Sequence, residues 1–496
     1  MAAVAVVVAV EPGWSLRASG ADPVSGPVAG RRLRRAVAAV VVVVGLIVVA
    51  TGATSTLAAV RPLDTGAVAA DQVEYLRSVV ADGGAAEMGA LFPEGEEFTV
   101  LLTALADLRL AEEGLTTVPA ALASADVALG VLDRPATAAK FGVTDPAGGV
   151  FLQGWTLLVA TGRARLGGPA ERADAELRAD RLRIAIAGSL DQGRPFLPSY
   201  PGQIWPVDTV VAVAALAQLD AVTGTGASAP LIAAWRAAAE PALDPVRGLF
   251  PHRSDGTGRV LEGPRATSSS IIAVFWPDIA PDAAADYYRR HLDAFLVRRW
   301  GLVGTAEYPP GVDGGGDVDT GPLVAGMSAS ATVVTIGAAR RVGDERLAAT
   351  LDQQVEAVGR PSRRGVGRRY VFGLLPVGDA FLAWARTVPI TPSAGTPPDS
   401  TSSRLWWWSL AVTLAGSALI VVGIRLWRSP RRVVPAPPAP DPRPITGPPG
   451  YPERPVSRSS TAGTEPNSSN PAPDRRGLRP SGADPEGGGA QCGPTN

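Results

Sequence analysis

Two long apolar spans, Ala36–Val60 and Leu405–Ile424, constrain this chain more than any other feature. Each is long enough to cross a hydrocarbon core of ~30 Å at ~1.5 Å per residue in a helix. Most of the remaining sequence lies between them and has the composition of a globular domain. The sequence therefore predicts a membrane protein with its bulk on one side of the bilayer and transmembrane helices at residues 36–60 and 404–427.

Arginines at the ends of the spans predict the orientation. Four arginines precede the first span within residues 31–35, and four follow the second within residues 425–432. Positive residues are retained on the cytoplasmic side of a membrane. We therefore expect both termini in the cytoplasm and the main domain outside it. The first span also resembles a secretory signal with a cleavage site, so an uncleaved anchor and a cleaved signal both stay open.

Composition divides the rest of the chain. Residues 1–35 form a leader that we expect to be loose, and residues 61–386 form one extracytoplasmic domain. Residues 387–403 read as a Pro-rich linker. Residues 428–496 are rich in Pro, Ser, Gly and Arg and bury too little apolar surface to offset the entropy of ordering, which predicts a disordered cytoplasmic tail.

Several classes of protein are disfavoured by composition. A formal net charge of −1 argues against nucleic acid as a partner. The one cysteine, Cys492, and the two histidines, His252 and His291, exclude a disulfide framework and a thiolate or multi-histidine metal centre. No cofactor is expected. The bias toward Arg, Ala, Val, Gly and Pro is typical of a GC-rich bacterial genome.

The sequence predicts an all-α domain in which two types of helix alternate. Residues 208–219 and 322–339 are apolar nearly all round, whereas residues 288–296 and 347–358 carry an apolar stripe beside charged residues. A helix that is apolar on every side is surrounded by protein, while a striped helix faces water. The alternation predicts an inner and an outer layer of helices.

The apolar type recurs at intervals of 52–60 residues, which is room for two helices and their loops. The residues that mark these positions are Phe98, Trp155, Asp208, Ser268, Thr320 and Asp379. Such a period indicates stacked helical hairpins. Six hairpins in a closed ring predict an (α/α)6 toroid flanked by two transmembrane helices; an open right-handed solenoid is the structural alternative.

The loops that enter the inner helices carry the distinctive residues. In a toroid these entrances share one mouth, where carboxylate, arginine and aromatic side chains would meet. Proline with Asp, Thr or Ser is also ordinary helix-start chemistry. The loops are residues 92–95, 145–149, 200–208, 263–268, 317–322 and 375–379.

Residues 70–386 resemble the six-hairpin glycosidase-type toroids, a group of polysaccharide hydrolases, lyases and uronyl epimerases. The resemblance lies in the helical architecture, in Trp205-Pro206-Val207-Asp208-Thr209, and in Glu307-Tyr308-Pro309 followed by the loop at residues 317–322. It implies that a ligand binds at the entrances of the inner helices and that carboxylates there do acid–base work. A shared fold does not establish a shared function.

If the protein is an enzyme, the candidate catalytic residues are Asp208, Glu307, Asp317 and Asp319. Glycoside cleavage needs two carboxyl groups ~5–9 Å apart. The alternatives are that Asp208 and Asp319 cap helices, or that Asp313, Asp317 and Asp319 bind a cation such as Ca²⁺; no metal site is predicted.

Candidate ligand-binding residues accompany the carboxylates. Tyr200, Trp205, Trp276 and Tyr308 are candidates for stacking on sugar rings, although buried aromatic residues more often belong to a core. Arg265, at the start of an inner helix, suits an anionic group or a neighbouring acid.

Three functions follow as hypotheses. The first is a membrane-anchored domain that binds or processes carbohydrate of the cell envelope or its surroundings. The second is a non-catalytic envelope scaffold whose tail recruits cytoplasmic partners, which the sequence does not identify. The third is a dehydratase or isomerase that acts on a small hydrophobic alcohol in a narrow apolar pocket.

Overall fold

The computed structural model describes residues 27–60, 63–363, 365–390 and 405–428. Residues 1–26, most of the predicted linker and the predicted tail from residue 429 onward lie outside this part of the chain. The helices are α1 (Pro27–Val60), α2 (Thr65–Ala81), α3 (Gly84–Gly89), α4 (Gly95–Glu112), α5 (Val118–Leu132), α6 (Pro135–Lys140), α7 (Gly149–Leu166), α8 (Pro169–Asp191), α9 (Pro206–Thr223), α10 (Ala229–Ala239), α11 (Ala266–Ile279), α12 (Ala284–Phe295), α13 (Ala329–Arg341), α14 (Glu345–Val358), α15 (Pro376–Thr387) and α16 (Leu405–Arg428).

The predicted all-α class is confirmed, since the strands of the described residues are few and short. β1 pairs with β2 in a hairpin, and four strands form a small antiparallel sheet in the order β3-β4-β6-β5. The strands are β1 (Arg253–Ser254), β2 (Val260–Glu262), β3 (Leu296–Arg299), β4 (Leu302–Ala306), β5 (Leu323–Val324) and β6 (Met327–Ser328).

One predicted inner helix begins later than expected. The prediction placed it at residues 322–339, but β5 and β6 occupy its first turns and α13 starts at Ala329. Ala325 and Gly326 both have positive φ, at 53° and 75°, which makes a tight turn and interrupts a helix. The Ser328 side chain then caps α13 by accepting a hydrogen bond from the amide of Ala331 at 3.1 Å.

Six helices pack in a sequence that returns to its start. α4 packs against α7, α7 against α9, α9 against α11, α11 against α13, α13 against α15, and α15 against α4. We call these the inner helices. Their residues are buried on most sides: in α9, twelve of the helix residues from Pro206 to Asp220 are buried.

The other long helices of the domain cover the inner helices from outside. α2 packs on α4 and α15, α5 on α4 and α7, α8 on α7 and α9, α12 on α11, and α14 on α13. A striped helix such as α12 buries Tyr288, Leu292 and Phe295 and exposes Arg289 to water. The predicted inner and outer types thus correspond to helices with different packing.

The ends of the inner helices converge. A cavity of about 60 Å³ is lined by residues near the C-terminal ends of five of them, Arg109, Gln218, Asp278, Arg341 and Thr387, and by Leu158 in the middle of α7. Because five of these C-terminal ends share the cavity and α7 packs against α4 and α9, the N-terminal ends lie at the opposite side, which we call the entrance face.

Aromatic side chains fill the space between the two ends. Trp155 of α7 lies 5.7 Å from Phe98 of α4, 5.6 Å from Phe275 of α11 and 5.8 Å from Trp384 of α15, measured between ring centroids. Their arrangement is edge-to-face, which aromatic pairs favour. These rings form a floor beneath the entrance face.

Within the part of the chain that the structure describes, three helices are long and apolar enough to cross a membrane, with candidate spans at Arg32–Thr54, Pro206–Thr223 and Ser409–Arg428. The second is α9, which packs between α7 and α11 inside the domain. The other two, α1 and α16, are only 17% buried within their spans and indicate membrane association. α1 starts at Pro27, inside the segment predicted to be a loose leader.

α1 and α16 pack against each other as an antiparallel pair. A side chain at Gly45 would lie 2.9 Å from the carbonyl oxygen of Gly416, and one at Gly52 would lie 2.9 Å from the amide nitrogen of Thr413. Near the other end of the pair, the guanidinium of Arg35 lies 5.6 Å from the ring centroid of Trp427. Small residues therefore let the two backbones approach closely, as in membrane helix pairs.

Candidate functional site

Three carboxyl groups from different helix entrances interact at the entrance face. Glu94 immediately precedes α4, Asp208 lies in the first turn of α9, and Asp319 lies in the loop before β5. Asp319 raises the pKa of both Glu94 and Asp208, and Glu94 raises the pKa of Asp208, because like charges near one another oppose ionisation. We call these residues the acidic group.

Burial adds to this repulsion. Loss of water contact is the main reason that the pKa of Asp208 rises to about 7 and that of Glu94 also to about 7. The pKa of Asp319 is raised too, by its protein surroundings and by Asp317, although its side chain keeps contact with water. At neutral pH the acidic group therefore holds both protonated and ionised carboxyl groups.

Neighbouring hydroxyl groups orient two of these carboxyls. Ser199 Oγ donates a hydrogen bond to Asp208 Oδ2 at 2.5 Å, and the hydroxyl of Tyr200 donates one to Glu94 Oε1. The Tyr200 ring stacks on Phe141, with a centroid separation of 5.1 Å. The loop that enters α9 thus holds the carboxyl group of Asp208 in its own helix and that of Glu94 at the start of α4.

Arg265 organises the adjacent part of the entrance face. Its Nε donates a hydrogen bond to Glu307 Oε1 at 2.8 Å, and its Nη2 forms an ion pair with Asp317 Oδ2 at 2.7 Å without hydrogen-bond alignment. Thr267 donates a second hydrogen bond to Glu307 Oε1, at 2.8 Å. The guanidinium also lies 5.2 Å from the ring centroid of Tyr308.

The predicted catalytic role of Glu307 is not supported by its position. Its side chain is 0% exposed; Oε1 accepts hydrogen bonds from Arg265 and Thr267, and Oε2 is buried without a hydrogen-bond partner, so the group is not open to a ligand at the surface. Asp317 is also paired with Arg265. Both residues therefore position Arg265, whereas Asp208 and Asp319 belong to the acidic group.

The predicted aromatic residues separate into two sets. Tyr200, Trp205 and Tyr308 are partly exposed, and each contacts the acidic group or the arginines beside it; Arg253, for example, lies 6.0 Å from the Trp205 ring. Trp276 is 2% exposed and packs 5.3 Å from Phe250. The prediction that Trp276 contacts a ligand is therefore wrong, because that side chain belongs to the core.

His252 lies beside Arg265 but is a poor base. Its Nδ1 is 2.6 Å from Ser268 Oγ, and its Nε2 is 3.4 Å from Arg265 Nη1. Burial, and then the positive charge of Arg265, lower the pKa of His252 to about 3. The ring is neutral at physiological pH, which suits a hydrogen-bonding role better than proton transfer.

A different arrangement surrounds the buried acids between α14 and α15. Arg386 is 1% exposed; its Nε bonds Asp352 at 2.8 Å and its Nη2 bonds Glu356 at 2.7 Å. Its Nη1 reaches the hydroxyl of Tyr370 at 2.8 Å. Buried acids with a structural role are thus matched here by a cation, as expected.

The acidic group is not matched by a cation in direct contact, although Lys140 acts to lower the pKa of Glu94 and Arg265 that of Asp319. Among the described residues, Glu94, Asp208 and Asp319 form no ion pair with an arginine or lysine. Within the same residues, no three His, Cys, Asp or Glu side chains lie close enough to hold a metal ion, and that includes Asp313, Asp317 and Asp319. The cation-binding alternative for this loop therefore gains no support.

Comparison with known proteins does not extend this description: no protein-family model matches the chain, and no curated protein is significantly similar to it.

Sequence reasoning missed Glu94 as a site residue. It is the one acid of its entrance loop, at residues 92–95, and lies at the start of an inner helix as Asp208 does. That shared position was the available signal. Its proximity to Asp208 depends on the packing of α4, α7 and α9, which no local pattern contains.

Proposed function

We propose that the domain is an (α/α)6 toroid. The support is the packing order of the inner helices, in which α15 returns to α4, together with outer helices that cover them. Gln72 joins the first and last hairpins by donating hydrogen bonds to the carbonyl and carboxyl oxygens of Asp379, at 3.0 and 2.9 Å. An open solenoid would leave these two ends apart.

We further propose that the entrance face binds or processes carbohydrate of the cell envelope or its surroundings. One observation carries the proposal: the acidic group brings three carboxyls from separate elements near one another, and among the described residues none of them forms an ion pair with a cation. Such a cluster destabilises the fold, and perturbed carboxyls of this kind are characteristic of functional sites.

The acidic group can supply acid–base chemistry. Because the pKa values of Glu94 and Asp208 are both about 7, one carboxyl can hold a proton while the other has lost it. A protonated carboxyl can donate to a glycosidic oxygen while an ionised one activates water or stabilises positive charge. The partly exposed rings of Tyr200, Trp205 and Tyr308 provide faces for sugar rings.

The proposed topology follows the arginine distribution. Both termini lie in the cytoplasm and the domain lies outside it, held by α1 and α16. The close pairing of these helices supports α1 as an uncleaved anchor, because cleavage would remove the partner of Gly416 and Gly423.

The test is a glycan screen with the full-length protein in lipid nanodiscs, by binding and by release of reducing ends. Asp208→Asn and Asp319→Asn are each expected to lower activity by about 10²–10⁴-fold. Asp282→Asn is the matched control, since Asp282 is an exposed acid in the loop after α11, away from the entrance face. Unchanged activity in both entrance-face variants would refute the assignment.

The scaffold remains a second candidate because the rings of Trp155, Phe275 and Trp384 pack together among the inner helices beneath the entrance face. It predicts stable folding and partner binding without any glycan recognition. The dehydratase or isomerase remains a hypothesis, for which the cavity of about 60 Å³ lined in part by Phe275 and Trp384 offers little space.

A further inference from the structure

A short segment after α14 exposes a group of large apolar side chains. Val371 is 50% exposed, Phe372 69%, Leu374 71% and Leu375 39%. Single exposed apolar residues are ordinary, but four within five consecutive residues form a patch that marks an interaction surface. We call these four residues the apolar rim.

The rim is held in place rather than loosely exposed. The amide of Val371 donates to the carbonyl of Gly359 at 2.7 Å, and that of Gly373 donates to Tyr370 at 2.8 Å. Val371 and Phe372 have positive φ, at 47° and 63°. This conformation is unfavourable for a β-branched and an aromatic residue, and such strain persists where the surroundings impose it, often at functional surfaces.

The rim lies next to the membrane helix α1. Arg360 donates a hydrogen bond through Nη2 to Thr51 Oγ1 at 2.5 Å, and Thr51 is near the end of the apolar span Arg32–Thr54. The Val371–Gly359 hydrogen bond places the rim beside Arg360. The rim is therefore close to the point at which α1 leaves the span.

The direction of α1 places the membrane beyond the entrance face. Thr65, just after α1, bonds Asp352 Oδ2 in the middle of α14 at 3.2 Å, whereas Thr51 lies beside Arg360 at the end of α14. α1 therefore runs antiparallel to α14 there, and its residues before Thr51 extend past the end of α14. That end is at the entrance face, because α13 begins there and α14 returns to it.

The charges around the rim suit a lipid surface. The sequence of residues 360–369 contains five arginines, of which Arg369 lies against Gly373 of the rim segment and Arg363 is 66% exposed while it pairs with Asp71. Apolar side chains flanked by arginine favour the headgroup region of a bilayer, where the chains enter the acyl boundary and the cations meet phosphates.

We propose that the apolar rim inserts into the headgroup region of the bilayer that α1 and α16 cross, so that the entrance face is turned toward the membrane. This docking requires only that α1 and α16 associate with a membrane. It is expected whichever side of the membrane the domain lies on. It has one consequence that rests on the proposed function: the carbohydrate reaching Asp208 would come from the layer next to the bilayer.

The test uses full-length protein with Cys492→Ser, reconstituted into phosphatidylcholine–phosphatidylglycerol vesicles. An environment-sensitive fluorophore is attached at Phe372→Cys in one sample and at Ile184→Cys in another. Ile184 is a matched control, because it is 74% exposed on α8, which packs on α7 and α9 rather than near α14. Nitroxide lipids, labelled near the headgroup, quench only fluorophores in the bilayer.

We expect the label at position 372 to lose more than half its emission to the nitroxide lipids and to resist aqueous iodide. The label at position 184 should show the opposite. Equal iodide quenching at both positions would overturn the proposal. A blue-shifted label at 372 that the nitroxide lipids do not quench would overturn it too, since protein would then cover the rim. Neither result depends on glycan activity.

Discussion

Arg265 and Glu307 are joined at 2.8 Å with almost no access to water: the arginine is 4% exposed and the glutamate 0%. Glu307 directly follows the end of β4, and Arg265 immediately precedes α11. The pair therefore fixes the loop that carries Asp317 and Asp319 against an inner helix.

Removing one partner of this pair should destabilise the fold. Glu307→Ala removes the most buried acid beside Arg265 and leaves Asp317 and the more distant Glu262 as its remaining acids. Losing one partner of a buried ion pair costs about 3–5 kcal/mol. We expect a clear fall in melting temperature by circular dichroism in detergent. Asp286→Ala is the control, because Asp286 pairs with Arg290 on the surface. Equal effects would show that the buried pair contributes no more than a surface pair, which is worth about 0–1 kcal/mol.

The acidic group should make stability fall as pH rises. The pKa of Asp208 is about 7 in the folded protein against 3.8 as its ordinary value, so the folded state holds the proton more tightly. The contribution of Asp208 to the free energy of unfolding is fully present below about pH 4 and is lost as pH rises through about 7. Asp208→Asn should therefore raise the melting temperature at pH 8 and have little effect at pH 4. A variant that is destabilised at pH 8 would show that Asp208 is mainly a structural cap.

Buried His291 should make the protein less stable as pH falls, which is opposite to the effect of Asp208. Burial lowers its pKa to about 3, and its Nε2 is 3.3 Å from Thr335 Oγ1. The unfolded chain binds a proton below about pH 6.5 while the folded protein does not, so stability falls as pH decreases from there. His291→Gln should remove about 1.4 kcal/mol per pH unit from this slope. Urea titrations between pH 4.5 and 6.5 measure it, and an unchanged slope would contradict the assignment.

Much of the helical pattern could be predicted because it is local. The positions Phe98, Trp155 and Ser268 fall within α4, α7 and α11, since an all-round apolar pattern needs only neighbouring residues. Thr320 precedes α13, because the chain first pairs with β4, which is a long-range contact. The burial of Glu307 and the meeting of Glu94 with Asp208 likewise depend on tertiary packing.

The pairing of α1 with α16 yields the last prediction. The buried positions of the pair repeat every seven residues: Ala38, Gly45 and Gly52 on α1, and Ser409, Gly416 and Gly423 on α16. Added Cβ atoms would meet backbone, at 2.7 Å from the Val49 amide nitrogen for Gly416 and 3.0 Å from the Ala38 carbonyl oxygen for Gly423. Backbone cannot yield as a flexible side chain does, and membrane helices associate mainly through such packing.

Gly45→Leu combined with Gly416→Leu should therefore separate the two helices by several ångströms, about the thickness of a side chain. Spin labels on cysteines at the lipid-facing positions Leu46 and Val422, in a Cys492→Ser background, report the distance by electron–electron double resonance in nanodiscs. Val43→Leu enlarges an exposed side chain on the same helix and should leave the distance distribution unchanged. If the double leucine variant also keeps the original distance, the glycines do not set the approach of α1 to α16, and the argument for an uncleaved α1 loses its support.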